Sequence, residues 1–330
     1  MAARVLVIGV GSIGHRHLRC LGITQRATLS ICETNTSLKN ELAAQYGVEQ
    51  AFDSLDEALQ DPPDMAVICT PAHLHVSMAR QLVAAGVHVL IEKPLGTSLD
   101  GVEALVEEAK QQRRVVGVAY VLRFNPLLAT LRELIATERY GTPVQLTVVS
   151  GQHFPFYRPA YREIYYKDRA TGGGAIQDGL THIVNACQWI FGDIQSLVAD
   201  ADHKILDGVT VEDTVHVIAR HGNTMASYSM NQHQAPNEST LTVNCTAGTI
   251  RCEFHKQTLQ VVEAPEQPWQ TLQETSLERD DAFIAQAHGF LDAVTNDQPV
   301  SCTLQEARQT LRANLAILQS VDAGFDRFAY

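Results

Sequence analysis

A lysine stands where a buried strand is predicted to end. Residues 89–96 have the sequence VLIEKPLG, so an apolar run is followed at once by Glu92, Lys93 and Pro94. In doubly wound sheets ligands bind at the carboxyl ends of the strands, and an ammonium group placed there meets cofactor and substrate. Pro94 favours an extended backbone at Lys93, which directs the lysine side chain. The position indicates a ligand-binding lysine, and a solvated Lys–Glu pair is the alternative.

A glycine motif near the start of the chain suits a dinucleotide. Gly9, Gly11 and Gly14, with Ser12 and Ile13 between the last two, form G-x-G-x-x-G directly after an apolar run. Such glycines allow a tight turn and a close approach of the backbone to a pyrophosphate, whose charge is met by N–H groups at the start of the next helix. A tight turn without a ligand is the alternative interpretation.

An acidic residue at the predicted end of the second strand distinguishes NAD from NADP. Glu33 follows the last glycine at the spacing expected of a ribose-binding carboxylate, which accepts hydrogen bonds from the ribose hydroxyls of NAD and repels the 2′-phosphate of NADP. The next three residues, 34–36, include no Arg or Lys to hold that phosphate. The sequence therefore predicts NAD in preference to NADP, with a solvated strand end as the alternative for Glu33.

The elements that must position these residues alternate in the first part of the chain. Apolar strands are predicted at 4–9, 28–33, 65–70, 87–92 and 114–120, with helices between them. Strands that alternate with helices on this rhythm are typical of a doubly wound parallel sheet. We therefore predict an α/β protein whose residues 1–122 form an NAD-binding Rossmann domain.

The pattern changes after residue 123. Runs of alternating polarity dominate, such as PVQLTVVSGQ and DTVHVIAR, and helices are predicted at 126–137, 178–191, 281–295 and 303–320. Period-2 runs separated by turn residues indicate antiparallel strands. Residues 123–330 are therefore predicted to form an α+β domain with a large, mostly antiparallel open sheet that serves substrate binding and oligomerisation. Whether the closing helices pack on the first domain is open at this point.

Composition excludes several functional classes. The formal net charge is −12 and no basic run of the kind that follows a phosphate backbone appears, which argues against nucleic acid or an anionic membrane and favours a small-molecule partner. The seven Cys are scattered without a C-x-x-C pair, as expected of free thiols in a reducing cytoplasm. No apolar stretch reaches the roughly 18 residues of a membrane helix, and no Cys/His cluster suggests a metal.

Several motifs together resemble a known enzyme family. The segments GVGSIGHRHLRCL, TPAHLH, AAGVHVLIEKPL, LRFNP and GGGAIQDGLTH are similar to those of the Gfo/Idh/MocA family of nicotinamide-dependent sugar oxidoreductases. The resemblance implies that Lys93 is catalytic and faces a D-x-x-x-H pair, Asp178 and His182, across the nicotinamide. It also implies cofactor contacts at Thr70, Pro71, His75, Glu92 and Lys93 itself, a substrate contact at Arg123, and a cis bond between Lys93 and Pro94.

The implied catalytic roles follow from the chemistry of the three side chains. His182 suits the removal of a hydroxyl proton, Lys93 would stabilise developing alkoxide character on the substrate oxygen, and Asp178 would bind a neighbouring hydroxyl or orient the pair. A helix N-terminal acid and a packed core histidine are the alternatives. The chain departs from the family at Ala72, Leu180 and Asn185, where Asn, Gly and an acid are common.

One basic and aromatic segment points to the substrate class. Residues 153–169, HFPFYRPAYREIYYKDR, combine aromatic side chains with cations in an otherwise acidic chain. Aromatic faces stack on sugar rings, and Arg binds carboxylate or phosphate with two parallel hydrogen bonds. We predict an anionic sugar held by Arg158 or Arg162, with Tyr120 and Tyr161 lining the ring. A segment that packs against another subunit is the alternative.

The sequence as a whole predicts an NAD-dependent dehydrogenase or reductase. It would act on a secondary alcohol or ketone of a sugar or sugar derivative, acidic and nucleotide sugars included, as a cytoplasmic homodimer or homotetramer. One alternative is a glycoside hydrolase or lyase that uses NAD for transient oxidation. Another is a catalytically silent NAD-binding subunit.

Overall fold

The computed structural model describes residues 2–324, which form two compact units. One unit contains the described residues up to Phe124 together with Glu278–Arg308, and the other contains Asn125–Leu277 and the described residues from Gln309 onward. The first unit is thus built from two separate stretches of the chain. The assignment of NAD binding to residues 1–122 and of substrate binding to 123–330 stays a prediction.

The first unit is built on a six-stranded parallel sheet. The strand order is β3-β2-β1-β4-β5-β6, so the direction of winding reverses between β1 and β4. Its strands are β1 (Ala3–Ile8), β2 (Ala27–Cys32), β3 (Gln50–Phe52), β4 (Met65–Ile68), β5 (His88–Ile91) and β6 (Val116–Val118), and its helices are α1 (Ser12–Thr24), α2 (Thr36–Tyr46), α3 (Leu55–Ala58), α4 (His75–Ala84), α5 (Val102–Gln111) and the later α9 (Asp281–Thr295).

Apolar side chains on both faces of this sheet explain why its strands lack alternation. Val5 and Val7 of β1 and Val67 of β4 are completely buried in one core, into which α1 places Leu18 and α9 places Phe290. Strands covered by helices on both faces are apolar throughout. In such a sheet the carboxyl ends beside the winding reversal form the ligand crevice.

The second unit is built on an eight-stranded sheet in the order β14-β13-β12-β11-β7-β10-β9-β8. Its strands are β7 (Pro143–Gly151), β8 (Ile194–Asp202), β9 (Thr214–His221), β10 (Thr224–Asn231), β11 (Glu238–Cys245), β12 (Gly248–Glu253), β13 (Thr258–Val262) and β14 (Gln270–Glu274), and its helices include α6 (Pro126–Ala136), α7 (Phe154–Tyr157), α8 (Thr181–Phe191) and most of α10 (Leu304–Ala323). All neighbours pair antiparallel except β7 and β10.

Alternation along these strands gives the sheet one covered and one open face. In β9, Val215 and Val217 are buried, whereas His216 and Ile218 are exposed. The predicted fold class, a Rossmann sheet plus an α+β part with a mostly antiparallel sheet, is confirmed. Within residues 2–324, no helix combines the length and the apolar character needed to cross a membrane.

Candidate functional site

The glycine motif forms a turn between β1 and α1 that leaves space for a ligand. Gly9 has φ +78, and a Cβ on Gly14 would lie 1.9 Å from the Gly9 carbonyl oxygen, so both glycines are required by the protein itself. A Cβ on Gly11, in contrast, would meet nothing within 4 Å. The first turn of α1 contains no acidic residue and Gly11 provides no side-chain cap. These features fit a pyrophosphate, whose charge is met by free N–H groups at a helix start.

Glu33 lies against this glycine turn. Its carboxylate accepts a hydrogen bond from the Val10 N–H at 2.9 Å and another from the Asn35 N–H at 2.9 Å. Both bonds fix the carboxylate at the end of β2, beside the loop that a dinucleotide would approach. The described residues of the loop and of the β2 end therefore fit the adenosine half of NAD.

The end of β5 holds the predicted catalytic lysine between two buried groups. The Glu92 carboxylate accepts a hydrogen bond from the Lys93 N–H at 3.0 Å, and the His75 Nδ1 lies 2.9 Å from the Pro94 carbonyl oxygen. The bond between Lys93 and Pro94 is cis. The backbone on both sides of the Lys93 side chain is thus fixed by neighbours within the first unit.

His75 also contacts the loop after β4, which belongs to the predicted cofactor region. Its Nε2 lies 2.7 Å from the carbonyl oxygen of Thr70, which precedes Pro71. Burial lowers the pKa of His75, against the opposing effect of the two backbone carbonyls. The buried imidazole thus joins the loop after β4 to the loop after β5.

Two predicted substrate residues of the first unit are buried. Tyr120 is almost fully enclosed, and the Arg123 Nη1 donates to the Ser301 carbonyl oxygen at 2.8 Å and to Glu306 Oε1 at 2.6 Å. The guanidinium of Arg123 therefore has protein partners in this unit. Substrate contacts of Tyr120 and Arg123 stay predictions.

Asp178 and His182 lie at the start of the α8 region. Asp178 belongs to a π-helical turn, Ala175–Leu180, that runs into α8, which differs from the regular helix predicted over 178–191. Glu212 fixes the start of this turn, because its buried carboxylate accepts hydrogen bonds from the Ile176 N–H and from Arg169 Nε. Gly174 has φ +87, and a Cβ on it would lie 2.4 Å from Glu212 Oε1, so a glycine is needed at position 174, where this carboxylate approaches.

The Asp178 carboxylate meets the basic and aromatic segment. Asp178 is only 3% exposed, its Oδ1 accepts a hydrogen bond from the Tyr165 hydroxyl at 2.6 Å, and Arg158 Nη1 lies 3.8 Å from its Oδ2. Hydrogen bonds to an ionised carboxylate are stronger than neutral ones. Tyr165 was not predicted as a site residue, although its place in the aromatic run before the glycine triplet was a usable signal.

Tyr161 and Arg162 of the same segment have partners within the protein. Tyr161 is 1% exposed and packs with Phe154 and Tyr166 in an apolar cluster. Its hydroxyl and the Arg162 Nε both donate to the carbonyl oxygen of Asp207 at 2.9 Å. The structure thus brings Arg158 to Asp178 and directs Tyr161 and Arg162 to a neighbouring loop.

Asn185, one of the three departures from the family pattern, packs inside the second unit. Its side-chain amide donates to the Thr310 hydroxyl of α10 at 2.9 Å, and the residue is buried. A side-chain bond of this kind ties α8 to α10. It gives Asn185 a role in holding the helix that carries His182.

Comparisons with known proteins identify relatives of the whole chain. A family model described as "Oxidoreductase family, NAD-binding Rossmann fold" matches residues 3–120, and one described as "GFO/IDH/MocA C-terminal domain" matches residues 128–251. UDP-N-acetylglucosamine 3-dehydrogenase of Acidithiobacillus ferrooxidans is 25% identical over 334 residues, 98% of this chain and 99% of that protein. An uncharacterised oxidoreductase of Synechocystis sp. is 30% identical over 225 residues, 64% of this chain but only 60% of that relative.

A solved structure shows the same fold. Levoglucosan dehydrogenase in complex with NADH and levoglucosan has a TM-score of 0.88 to this chain at 21% identity, covering 98% of both chains. At that identity the likeness concerns the fold.

Proposed function

The chain belongs to the Gfo/Idh/MocA family of oxidoreductases, and on that premise we propose that it transfers a hydride between NAD and a secondary alcohol or ketone of an anionic sugar derivative. The observation that carries the proposal is the cluster around Asp178, in which an arginine and a tyrosine approach a buried carboxylate four positions before His182.

The proposed chemistry divides between the cofactor and three side chains. NAD, when bound, supplies the hydride acceptor. His182 takes the proton of the reacting hydroxyl as the carbon–oxygen double bond forms. Lys93 donates a hydrogen bond to the same oxygen and stabilises its negative charge. Asp178, kept in place by Tyr165, accepts a hydrogen bond from a neighbouring hydroxyl or orients the reacting pair.

Arg158 supports an anionic substrate. Its side chain is about half exposed beside the buried Asp178, and its guanidinium lies over the Phe154 ring at 5.3 Å. A guanidinium held by an aromatic face still offers two parallel donors to phosphate or carboxylate. The similarity to a UDP-N-acetylglucosamine 3-dehydrogenase over 98% of the chain supports a nucleotide sugar within this class.

Oligomerisation is part of the proposal. Val149, Val198, Ile218 and Met225 are exposed on the open face of the eight-stranded sheet. Exposed apolar patches of this kind mark interaction surfaces. They support a homodimer or homotetramer.

The cellular location is proposed separately. The cysteines form no disulfide among the described residues, in agreement with the proposed cytoplasmic location.

A substrate screen tests the function directly. The purified protein is incubated with NAD and with nucleotide sugars, uronic acids, neutral hexoses and polyols, and NADH formation is followed by absorbance. We expect activity with an anionic sugar. A neutral polyol as best substrate would contradict the anionic class, cleavage of a glycoside without net NADH would favour the hydrolase or lyase, and no turnover with any substrate would favour a silent NAD-binding subunit.

Cofactor selection provides a prediction about Glu33. We expect NAD to bind more tightly than NADP, and Glu33→Ala to narrow the difference, because the carboxylate no longer repels the 2′-phosphate. Calorimetric titration of both cofactors measures the two affinities. Glu57→Ala, on the neighbouring helix α3, is the matched control for the removal of a nearby negative charge. A wild-type preference for NADP would remove Glu33 from cofactor selection.

Substrate recognition provides a prediction that separates two arginines. We expect Arg158→Ala to raise KM for the anionic substrate about tenfold or more, as expected for the loss of a charge-assisted hydrogen bond. Arg162→Ala serves as the control, because its guanidinium is engaged with the Asp207 carbonyl oxygen. Steady-state kinetics at two salt concentrations measure both variants. Equal KM values for Arg158→Ala and the wild type would exclude Arg158 as the anion contact.

A further inference from the structure

The carboxylate next to Lys93 is buried and lies between two elements. Glu92 is 4% exposed, and its Oε1 lies 2.7 Å from His17 Nε2. Its Oε2 accepts the hydrogen bond from the Lys93 N–H at 3.0 Å. A buried carboxylate is costly unless it is paired and hydrogen-bonded. One Glu92 side chain thus bridges a histidine and the backbone of the predicted catalytic lysine.

His17 comes from the helix that starts at the glycine turn. It lies in α1, three residues after Gly14, is buried, and packs edge-on against Phe283 with ring centroids 5.7 Å apart. Because an ionised Glu92 can only accept hydrogen bonds, the Nε2 of His17 must carry the proton in this contact. The imidazole is therefore a donor whose position is fixed by the cofactor-binding helix.

We propose that His17 is a positioning residue for Lys93, acting through the carboxylate of Glu92. The chain of contacts runs from α1 to His17, from its Nε2 to Glu92, and from the second Glu92 oxygen to the Lys93 N–H. Together with the His75 contact to the Pro94 carbonyl oxygen, it fixes the lysine backbone on both sides. The catalytic role of Lys93 in this inference rests on the proposed function. The chain of hydrogen bonds from His17 to Lys93 is independent of it.

Two substitutions at position 17 separate hydrogen bonding from packing. His17→Gln keeps an N–H donor at the reach of the imidazole Nε2, whereas His17→Leu removes the donor and leaves the Glu92 carboxylate without it. We expect His17→Leu to lower kcat about 10²-fold, since a misplacement of about 1 Å at a reacting group has an effect of that size. We expect His17→Gln to retain kcat within a few-fold, and both variants to keep NADH affinity close to that of the wild type.

His88→Leu is the matched control. His88 lies at the other end of β5, and its Nδ1 accepts a hydrogen bond from the Val115 N–H at 2.9 Å. Its replacement removes this hydrogen bond and the 3.2 Å contact of its Nε2 with Arg114 Nη1 from the same strand. Neither contact involves Glu92, so we expect kcat to be unchanged. A similar loss of kcat in His17→Leu and His88→Leu, or in His17→Leu and His17→Gln, would reduce His17 to a stability residue and overturn the proposal.

A readout without turnover keeps the inference separate from the proposed function. The rate at which an amine-selective reagent modifies Lys93 is measured by peptide mass spectrometry, with the exposed Lys110 as internal reference. We expect His17→Leu to change the ratio of the Lys93 and Lys110 rates several-fold, and His17→Gln to leave it as in the wild type. An unchanged ratio in His17→Leu overturns the positioning role. If the wild type shows no turnover but His17→Leu still changes the ratio of the Lys93 and Lys110 rates, the result counts against the proposed function and not against the positioning role.

Discussion

Lys93→Met should lower kcat by about 10²–10⁴-fold, the range found when an acid–base or charge-stabilising group is lost. Methionine keeps most of the length and the apolar stem of lysine but provides no donor to the substrate oxygen. The backbone contacts of Glu92 and His75 on either side of the position involve main-chain atoms and remain available in the variant. NADH binding should therefore change little, so the defect should appear in kcat and in kcat/KM equally.

For Lys93→Met, steady-state kinetics measure kcat and KM, and fluorescence titration measures the affinity for NADH. Lys110→Met, on the exposed side of α5, is the control for the loss of a lysine charge from the same unit. Turnover within a few-fold of the wild type would remove Lys93 from the mechanism. A parallel loss of NADH affinity would instead indicate that the lysine serves cofactor binding.

His182→Asn should lower kcat by a similar factor of about 10²–10⁴. Asparagine retains a polar side chain of comparable width but cannot accept and release the hydroxyl proton in the way an imidazole does. The π-helical turn and α8 are anchored elsewhere, by Glu212 at the Ile176 N–H and by Asn185 at Thr310, so the fold of this region should persist. The same turnover assay and the thermal unfolding midpoint test the expectation.

His255→Asn is the control for His182→Asn. His255 is exposed, and its described hydrogen bonds are with the backbone of Ser239. We expect this variant to match the wild type. If His182→Asn retains turnover, another group removes the proton, and Tyr165 beside Asp178 becomes the next residue to replace. If the unfolding midpoint of His182→Asn falls sharply, the kinetic loss has a structural cause instead.

Short sequence segments were sufficient for the parts of the molecule that are local in the chain. The turn at Gly9 and Gly14, the acid at the end of β2 and the lysine after β5 each depend on one strand, the loop after it and the next helix. The carboxyl ends of parallel strands share one edge of the sheet. Residues at these ends therefore come together through strand order alone, without specific contacts between distant side chains. The Rossmann sheet and the alternating strands of the second sheet were also predictable, because the pattern of each strand lies within a short stretch of sequence.

The short edge and late strands were harder to predict. β3 has three residues and β14 has mostly exposed side chains, so neither carries a strong hydrophobic pattern, and both depend on pairing with a neighbouring strand. The helix α9 was predicted, but its membership of the first unit follows from packing of Phe290 in a core made by residues far earlier in the chain.

What the sequence by itself determined is therefore the cofactor-binding fold, the family and the chemical types of the candidate site residues. Only the tertiary structure decided which side chains meet: Arg158 and Tyr165 reach Asp178, Tyr161 is enclosed in an apolar cluster, and His17 binds Glu92 across 75 positions of sequence. The physical reason is that composition and periodicity specify which face of an element is buried, whereas a contact between distant side chains depends on the register and packing of elements that only the folded chain brings together.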